Sequence, residues 1–166
     1  TQTPINSFPY TNGFEDAAEN ALWRFANDTK TNNGWYIDTA YVKDGEKALY
    51  VSNDSAKTAD YDNKASYSWA YRAIDLKEGS YTLTFDWIGK GSATSLTNTS
   101  TTDLMRVVLL PITSTFAGGS GNIAHADGTT TSSFASSALN REDCIDLTKK
   151  VGTYYKYNGA TEWTAN

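Results

Sequence analysis

The sequence predicts an all-β protein, and specifically a two-sheet sandwich of the jelly-roll type. Apolar and polar residues alternate with period two along several segments, which is the side-chain period of a half-buried strand. Aromatic residues make up 13% of the chain, and strands favour them. Ser, Thr, Asn and Gly fill the intervals between apolar runs, as they do in turns. About seven such strands at uneven spacing are typical of a sandwich or a jelly roll.

The first elements follow from local pattern. Residues 16–27 are the segment with helical character, and Trp23 and Phe25 near its end are also compatible with a strand. Gly34 then opens a strand rich in aromatic residues. The apolar run Ala48–Ser52 predicts the next strand, and the polar residues that follow it predict a turn.

The middle of the chain carries the clearest alternation. Residues 66–74 place one set of side chains on a common face: Tyr67, Trp69, Tyr71 and Ala73. Residues 81–88 repeat the pattern more regularly, and we expect these side chains to point inward: Tyr81, Leu83, Phe85 and Trp87.

The second half predicts a buried strand, two long polar segments and a short tail. Residues 104–110 are nearly continuously apolar, as in a strand buried on both faces, and Pro111 ends them. Residues 89–103 and 113–140 are polar and predict long loops. Residues 152–157 and 162–164 predict two more short strands or a strand and a turn.

Composition excludes several classes of protein. With 166 residues the chain suits a single domain over residues 1–166. The net charge of −5 argues against nucleic acid and against an anionic membrane surface as partners. No apolar run is long enough to insert into a membrane. Cys144 is the one cysteine, so an intrachain disulfide cannot form.

Two acidic segments stand at predicted strand ends. Glu15 and Asp16 follow the turn at Asn12 and Gly13, and Asp38 follows the aromatic strand that Gly34 opens. Carboxylates at neighbouring strand ends repel each other unless a cation, a basic side chain or water separates them. Oxygen-rich loops of this kind supply ligands to calcium. Ordinary solvated acids on an acidic protein explain the same residues equally well.

The order of these motifs resembles the secreted jelly-roll modules of Bacteroidetes, of the cleaved-adhesin and choice-of-anchor type, which are distantly similar to MAM domains. The resemblance covers about residues 8–112. It rests on five segments of the sequence: Phe14-Glu15-Asp16, Gly34-Trp35, Ala48–Ser52, residues 71–76 and residues 79–87.

This resemblance implies a jelly roll that is secreted or held at the cell surface and that binds or adheres without catalysis. Its partner would be a glycan or a host or bacterial surface protein. Family members often hold a structural calcium through acids of the first strand and nearby loops. Carried over, this implies Glu15, Asp16 and Asp38 as ligands, with Asn53 and Asp54 as further oxygen donors.

The chain departs from the family pattern at its end. Such modules usually finish with a strand of the type Gly-x-Tyr-x-Leu-x-Phe and a closing strand that contains Asp-Asn. Either residues 152–157 replace these strands, or the chain lacks them. The second alternative leaves an unpaired sheet edge, and it predicts a structural or assembly role completed by strand addition from another chain or segment.

The residues that could carry catalysis do not form a recognisable pattern. His125 is the one histidine, and a catalytic triad needs an oriented base and an oxyanion hole that the sequence does not specify. Paired carboxylates could hydrolyse glycosides, and the candidates for this role are Asp38, Asp75, Asp86 and Glu162. Exposed strand acids are usually only solvated, so we expect no enzyme activity.

Aromatic rings are the remaining candidates for binding, because sugars stack on them through C–H surfaces. Trp35, Tyr36 and Tyr71 are the residues that we expect to contact carbohydrate, although most aromatic residues of the alternating strands belong to the core. The N-glycosylation pattern also occurs at Asn27, Asn53 and Asn98.

Overall fold

A computed structural model describes residues 2–62, 64–88, 104–132, 141–147, 155–156 and 164–165. These residues confirm the all-β class, since they form short antiparallel strands and little helix. The helix is α1 (Ala17–Asn20), and the strands are β1 (Arg24–Ala26), β2 (Gly34–Asp38), β3 (Ala48–Ser52), β4 (Trp69–Tyr71), β5 (Asp86–Trp87), β6 (Leu104–Met105), β7 (Val108–Leu109), β8 (Thr115–Phe116), β9 (Asn122–Ala124), β10 (Thr130–Ser132), β11 (Ile145–Asp146), β12 (Tyr155–Lys156) and β13 (Thr164–Ala165).

Contacts divide the chain into two compact units. Unit 1 comprises Thr1–Gly79 and Ile112–Ala135, and unit 2 comprises Ser80–Pro111 and Ser136–Asn166. Unit 1 contains α1, β1 to β4 and β8 to β10, while unit 2 contains the remaining strands. The single domain over residues 1–166 stays a prediction.

The β2–β3 hairpin is the longest ladder of unit 1. Gly34 lies opposite Ser52 at one end, and Asp38 lies opposite Ala48 at the other. Tyr36 lies directly opposite Tyr50. Because residues that face each other in a ladder point to the same side of the sheet, these two side chains share one face. Tyr50 is buried on that face, where its hydroxyl donates to the carbonyl of Ala56 at 2.7 Å.

Two further sheets complete unit 1. β1 pairs with β4 in antiparallel register, and β8, β9 and β10 form a three-stranded antiparallel sheet with β9 in the centre. Phe116 of β8 contacts both Trp69 and Tyr71 of β4, with ring centroids 4.8 Å apart in each pair. The two rings therefore share one face, as the alternation of residues 66–74 predicts. Ile123 of β9 is fully buried.

Within the described residues, unit 2 contains three two-stranded antiparallel pairs. β5 pairs with β13, β6 with β12 and β7 with β11. The predicted tail strands are confirmed at β12 and β13. Cys144 is buried, and burial raises the pKa of its thiol.

Three sequence predictions require correction. Residues 81–88 form a strand only at β5, and Tyr81 and Leu83 are exposed instead of pointing inward. The predicted doubly buried strand at residues 104–110 is two short strands, β6 and β7, whose described side chains are half-buried. The predicted loop at residues 113–140 contains the sheet of β8, β9 and β10. The predicted loop at residues 89–103 lies outside the described residues.

A buried ion pair connects the N-terminal segment, α1 and the end of β4. The Arg72 guanidinium donates from Nε and Nη2 to the two carboxylate oxygens of Glu19, at 2.9 and 3.2 Å. The Arg72 side chain is only 6% exposed, and that of Glu19 is 20% exposed. Arg72 Nη1 also donates to the carbonyls of Thr3 and Ala73, and Tyr10 donates its hydroxyl to Glu19.

The pKa values of Glu19 and Tyr10 are both shifted by their contacts around the ion pair. The hydrogen bond from Arg72 lowers the pKa of Glu19, whereas burial and the hydrogen bond to Glu19 raise the pKa of Tyr10 to about 12. A lowered carboxyl pKa stabilises the fold above the unfolded value of about 4.3 and ceases to do so as the pH falls. A raised phenol pKa stabilises the fold below about pH 10, and this contribution is lost as the pH rises toward 12.

Glu19→Gln is expected to lower the free energy of unfolding at pH 7 by about 3 kcal/mol, because it leaves the buried Arg72 without its counter-charge. Urea unfolding measures this loss. The difference from the wild-type protein should begin to shrink below about pH 4 and should continue to shrink as the pH falls toward the lowered pKa of Glu19, where the wild-type carboxylate is itself protonated. The matched control is Asp75→Asn, which removes the exposed partner of Lys77 and should cost less than about 1 kcal/mol. Equal losses in the two variants would contradict the assignment.

Candidate functional site

The loops of unit 1 are fixed by polar side chains that bond to backbone groups. The central members are Asn27, Asp28, Asn33, Ser52 and Asp54, which we call the anchor cluster. Asp28, Asn33 and Ser52 are buried. Buried polar groups are stable only when they are hydrogen-bonded, and each of these three is.

Asn27 takes the place of a strand neighbour for β2. Its carboxamide Oδ1 accepts from the N–H of Trp35 at 2.8 Å, and its Nδ2 donates to the carbonyl of Trp35 at 3.2 Å. Asn27 comes this close only because the residues that pack against its side chain and its carbonyl are glycines. A Cβ at Gly34 would lie 2.6 Å from Asn27 Nδ2, and a Cβ at Gly118 would lie 1.8 Å from the Asn27 carbonyl oxygen.

Asn33 repeats this arrangement on another segment. Its Oδ1 accepts from the N–H of Asp62 at 2.6 Å, and its Nδ2 donates to the carbonyl of Asp62 at 3.0 Å. The Asp62 carboxylate in turn accepts from Asn53 Nδ2 at 3.0 Å. The segment that precedes β2 and the segment that follows β3 are therefore held together by asparagine side chains.

Asp28 holds the third segment of the cluster. Its carboxylate accepts from the N–H groups of Lys30 and Tyr67, and its own N–H donates to Ser68 Oγ. Burial acts to raise the pKa of Asp28, but the hydrogen bonds from Lys30 and Tyr67 outweigh it, so the pKa is lowered. Gly119, at φ +76°, lies so close that a Cβ there would be 2.9 Å from Asp28 Oδ1.

The turn after β3 is organised around Ser52 and Asp54. Ser52 Oγ donates to Asp54 Oδ1 and accepts from the N–H of Ala56. Asp54 also accepts from the N–H and the hydroxyl of Thr58, both at 2.9 Å. These bonds hold Ser55 and Ala56 at positive φ, which residues with a Cβ rarely adopt.

The predicted calcium ligands near the N-terminus bond to different parts of the protein. Glu15 Oε1 accepts from the N–H groups of Glu46 and Lys47 at 2.9 and 3.0 Å, in the loop between β2 and β3. Asp16 caps α1 by accepting from the N–H groups of Ala18 and Glu19. These bonds give both acids a structural role.

Asp38 accepts from the N–H of Thr39, while Asn53 and Asp54 belong to the contacts already described. Within the described residues, no three of the His, Cys, Asp or Glu side chains form a group that could hold a metal ion. The five predicted ligands therefore do not form a ready cage of acids. A site that also uses carbonyl and amide oxygens stays a prediction.

The three predicted carbohydrate-binding residues are half-buried. Trp35 donates its indole N–H to the carbonyl of Ser68 at 3.1 Å, and Tyr71 packs edge-on against Phe116. Tyr36 lies opposite Tyr50 in the hairpin. Tyr41, in the loop after β2, is 45% exposed, which is a larger exposed fraction than that of any of these three.

His125 is buried between two hydroxyl groups. Its Nδ1 lies 3.4 Å from Ser114 Oγ, and its Nε2 lies 2.8 Å from Thr131 Oγ1. Backbone bonds to Thr129 and Gly128 close a turn around it. Both ring nitrogens therefore have partners. His125 directly follows β9, and through these partners it contacts β10 at Thr131 and the segment before β8 at Ser114. These contacts give His125 a structural role.

Sequence reasoning missed the asparagines of the anchor cluster. Asn27 was noted only as an N-glycosylation pattern, yet both atoms of its carboxamide are engaged by Trp35. The available signal was an Asn or Asp placed directly beside a strand end, since these side chains readily bond to nearby backbone groups. The pattern at Asn98 lies outside the described residues.

Comparison with protein-family models, with curated proteins and with solved structures found no match for this chain. Among the helices in the described part of the chain, none has the length and apolar character needed to cross a membrane.

Proposed function

We propose that this chain is a non-catalytic binding module of the secreted or cell-surface type. It is a calcium-stabilised jelly-roll sandwich, similar to the cleaved-adhesin and choice-of-anchor modules, and it recognises a glycan or a surface protein. The observation that carries the proposal is the anchor cluster. Loops held by buried side chains lose little conformational entropy on binding, so they suit recognition from a rigid scaffold.

The hairpin of β2 and β3 is fixed at both ends and offers a display surface. Glu15 holds the loop at one end of the hairpin, and Asn33, Ser52 and Asp54 hold the segments at the other end. We place a glycan at the end that Glu15 holds, which is the loop between β2 and β3. Tyr41 is exposed in this loop, and Tyr36 lies on the same hairpin. We include no catalytic step, because His125 has a structural role.

A second candidate function is assembly through strand addition, and residues 81–85 favour it. Their sequence, Tyr-Thr-Leu-Thr-Phe, has the alternation of a strand, yet within the described residues it belongs to no strand and Leu83 is 53% exposed. The pattern is also palindromic. Antiparallel pairing with a second copy about Leu83 places Tyr81 opposite Phe85 and Thr82 opposite Thr84, and such cross-strand pairs are favourable.

The glycan proposal predicts that an array of oligosaccharides probed with the intact protein identifies a ligand. Tyr41→Ala should weaken binding at least about tenfold, as expected for removal of a stacking ring. Tyr41→Phe keeps the ring and should bind like the wild-type protein. The melting temperature of both variants is measured alongside and should change little, because Tyr41 is 45% exposed, so that lost binding is separated from lost stability. Undiminished binding by Tyr41→Ala would exclude this residue, and an empty array would favour a protein ligand.

The calcium proposal predicts a rise in melting temperature of roughly 5 °C or more in millimolar calcium relative to chelator, since an ion that binds only the folded state stabilises it. Asp16→Asn should reduce this rise while leaving the melting temperature in chelator nearly unchanged, because asparagine also caps helices well. If the wild-type protein melts at the same temperature in both buffers, calcium has no part in its stability.

The assembly proposal predicts that light scattering after size exclusion gives a mass that rises from monomer to dimer with protein concentration. Leu83→Lys should restore the monomer, because it places like charges opposite each other at the centre of the pairing. Leu76→Lys is the matched control, since Leu76 is also exposed but lies outside residues 81–85. A wild-type protein that is monomeric at every concentration excludes this function.

A further inference from the structure

The chain contains three Asn-Gly pairs, at residues 12–13, 33–34 and 158–159, and the structure describes the first two. A glycine after asparagine leaves the next backbone nitrogen unhindered, because glycine lacks a Cβ. That nitrogen can attack the asparagine side chain. We propose that Asn12 is a self-modification site that converts to aspartate and isoaspartate in the folded protein, while Asn33 is protected.

The chemistry needs only the chain and water. The Gly13 nitrogen loses its proton and bonds to Cγ of Asn12, and the Cγ–Nδ2 bond breaks as the side-chain nitrogen leaves as ammonia. Water then opens the resulting five-membered imide at one of its two carbonyls. Opening at one carbonyl gives aspartate, and opening at the other gives isoaspartate, whose backbone passes through the former side chain.

Contacts at Asn12 favour the attack. The N–H of Phe14 donates to Asn12 Oδ1 at 2.8 Å, which draws electron density from Cγ and turns the side chain toward the following peptide. Asn12 Nδ2 is buried near the Tyr10 hydroxyl, but within the described residues it makes none of the backbone bonds that hold the Asn33 carboxamide. Gly13 lies outside helix and strand, and a Cβ there would meet nothing closer than Glu15 Cγ at 3.9 Å.

Contacts at Asn33 oppose the same reaction. Both atoms of its carboxamide are bonded to the backbone of Asp62, and the side chain is buried. Gly34 is the first residue of β2 and is paired with Ser52. Closing the imide ring at this site would require the loss of the Asp62 bonds and of the extended backbone. Asn33 therefore reacts only after local opening.

Modification at position 12 adds one negative charge to the segment that carries Glu15 and Asp16. The bond from the Phe14 N–H survives in the aspartate product, since a carboxylate accepts it as well as an amide oxygen does. Isoaspartate lengthens the backbone, and it should disturb the turn that leads into α1.

The test is to incubate the intact folded protein in mildly alkaline buffer below its melting temperature and to map it with trypsin and mass spectrometry. Cleavage after Arg24, Lys30 and Lys43 separates Asn12 from Asn33. Conversion at Asn12 should be at least about tenfold faster than at Asn33, because only Asn33 must first open locally. In urea the two rates should become similar.

Gly13→Ala is the matched variant. It should slow conversion at Asn12 without changing Asn33 or the melting temperature, since the added methyl group hinders the attacking nitrogen and enters open space. Equal rates at the two sites in the folded protein would overturn the proposal. So would a rate ratio that is the same in buffer and in urea, because sequence alone would then explain it.

Discussion

The buried guanidinium of Arg72 is the charge on which the N-terminal part of unit 1 depends. Its donors contact α1 through Glu19, the N-terminal segment through Thr3, and the backbone beyond β4 through Ala73. A buried charge of this kind stabilises a fold only if its partners satisfy it, and here one guanidinium joins three segments that share little ladder pairing. The parallel bridge between Ile5 and Ile74 lies directly beside it, so the ion pair also fixes where the N-terminal segment runs.

Short strands create a second requirement, which the anchor cluster meets. Strands of two to five residues leave many backbone groups outside the ladders, and these groups must bond elsewhere if they are buried. Asn27 and Asn33 each bond to both the N–H and the carbonyl of a single residue, which is the pattern that a neighbouring strand would provide. The same side chains that compensate for short strands therefore give the loops their fixed positions.

The sequence could predict those parts of the fold that local pattern determines. β3 was predicted at its exact bounds and β2 at its start, because alternation and flanking turns specify them. Residues 81–88 carry an equally clear alternation, yet pairing depends on which distant segment lies alongside, and this is not encoded locally. The sequence does not predict the sheet of β8 to β10, because the Thr, Ser and Asn residues of its strands and the glycines between them are typical of loops. At the site, residue types indicated oxygen donors, but only the structure shows which backbone groups Glu15, Asp16 and Asp54 engage.

The backbone bonds of these acids restrict which of their oxygens an ion could use. Glu15 presents a single oxygen, Oε1, to the N–H groups of Glu46 and Lys47, and Asp16 likewise uses Oδ1 to cap α1. A carboxylate has two oxygens and several lone pairs, so each acid can still offer the other oxygen to a cation. A cation that bound one of these free oxygens would leave the structural bonds intact. Calcium and the internal hydrogen bonds would then act on the same turn in the same direction, because both favour the positions that Glu15 and Asp16 already hold.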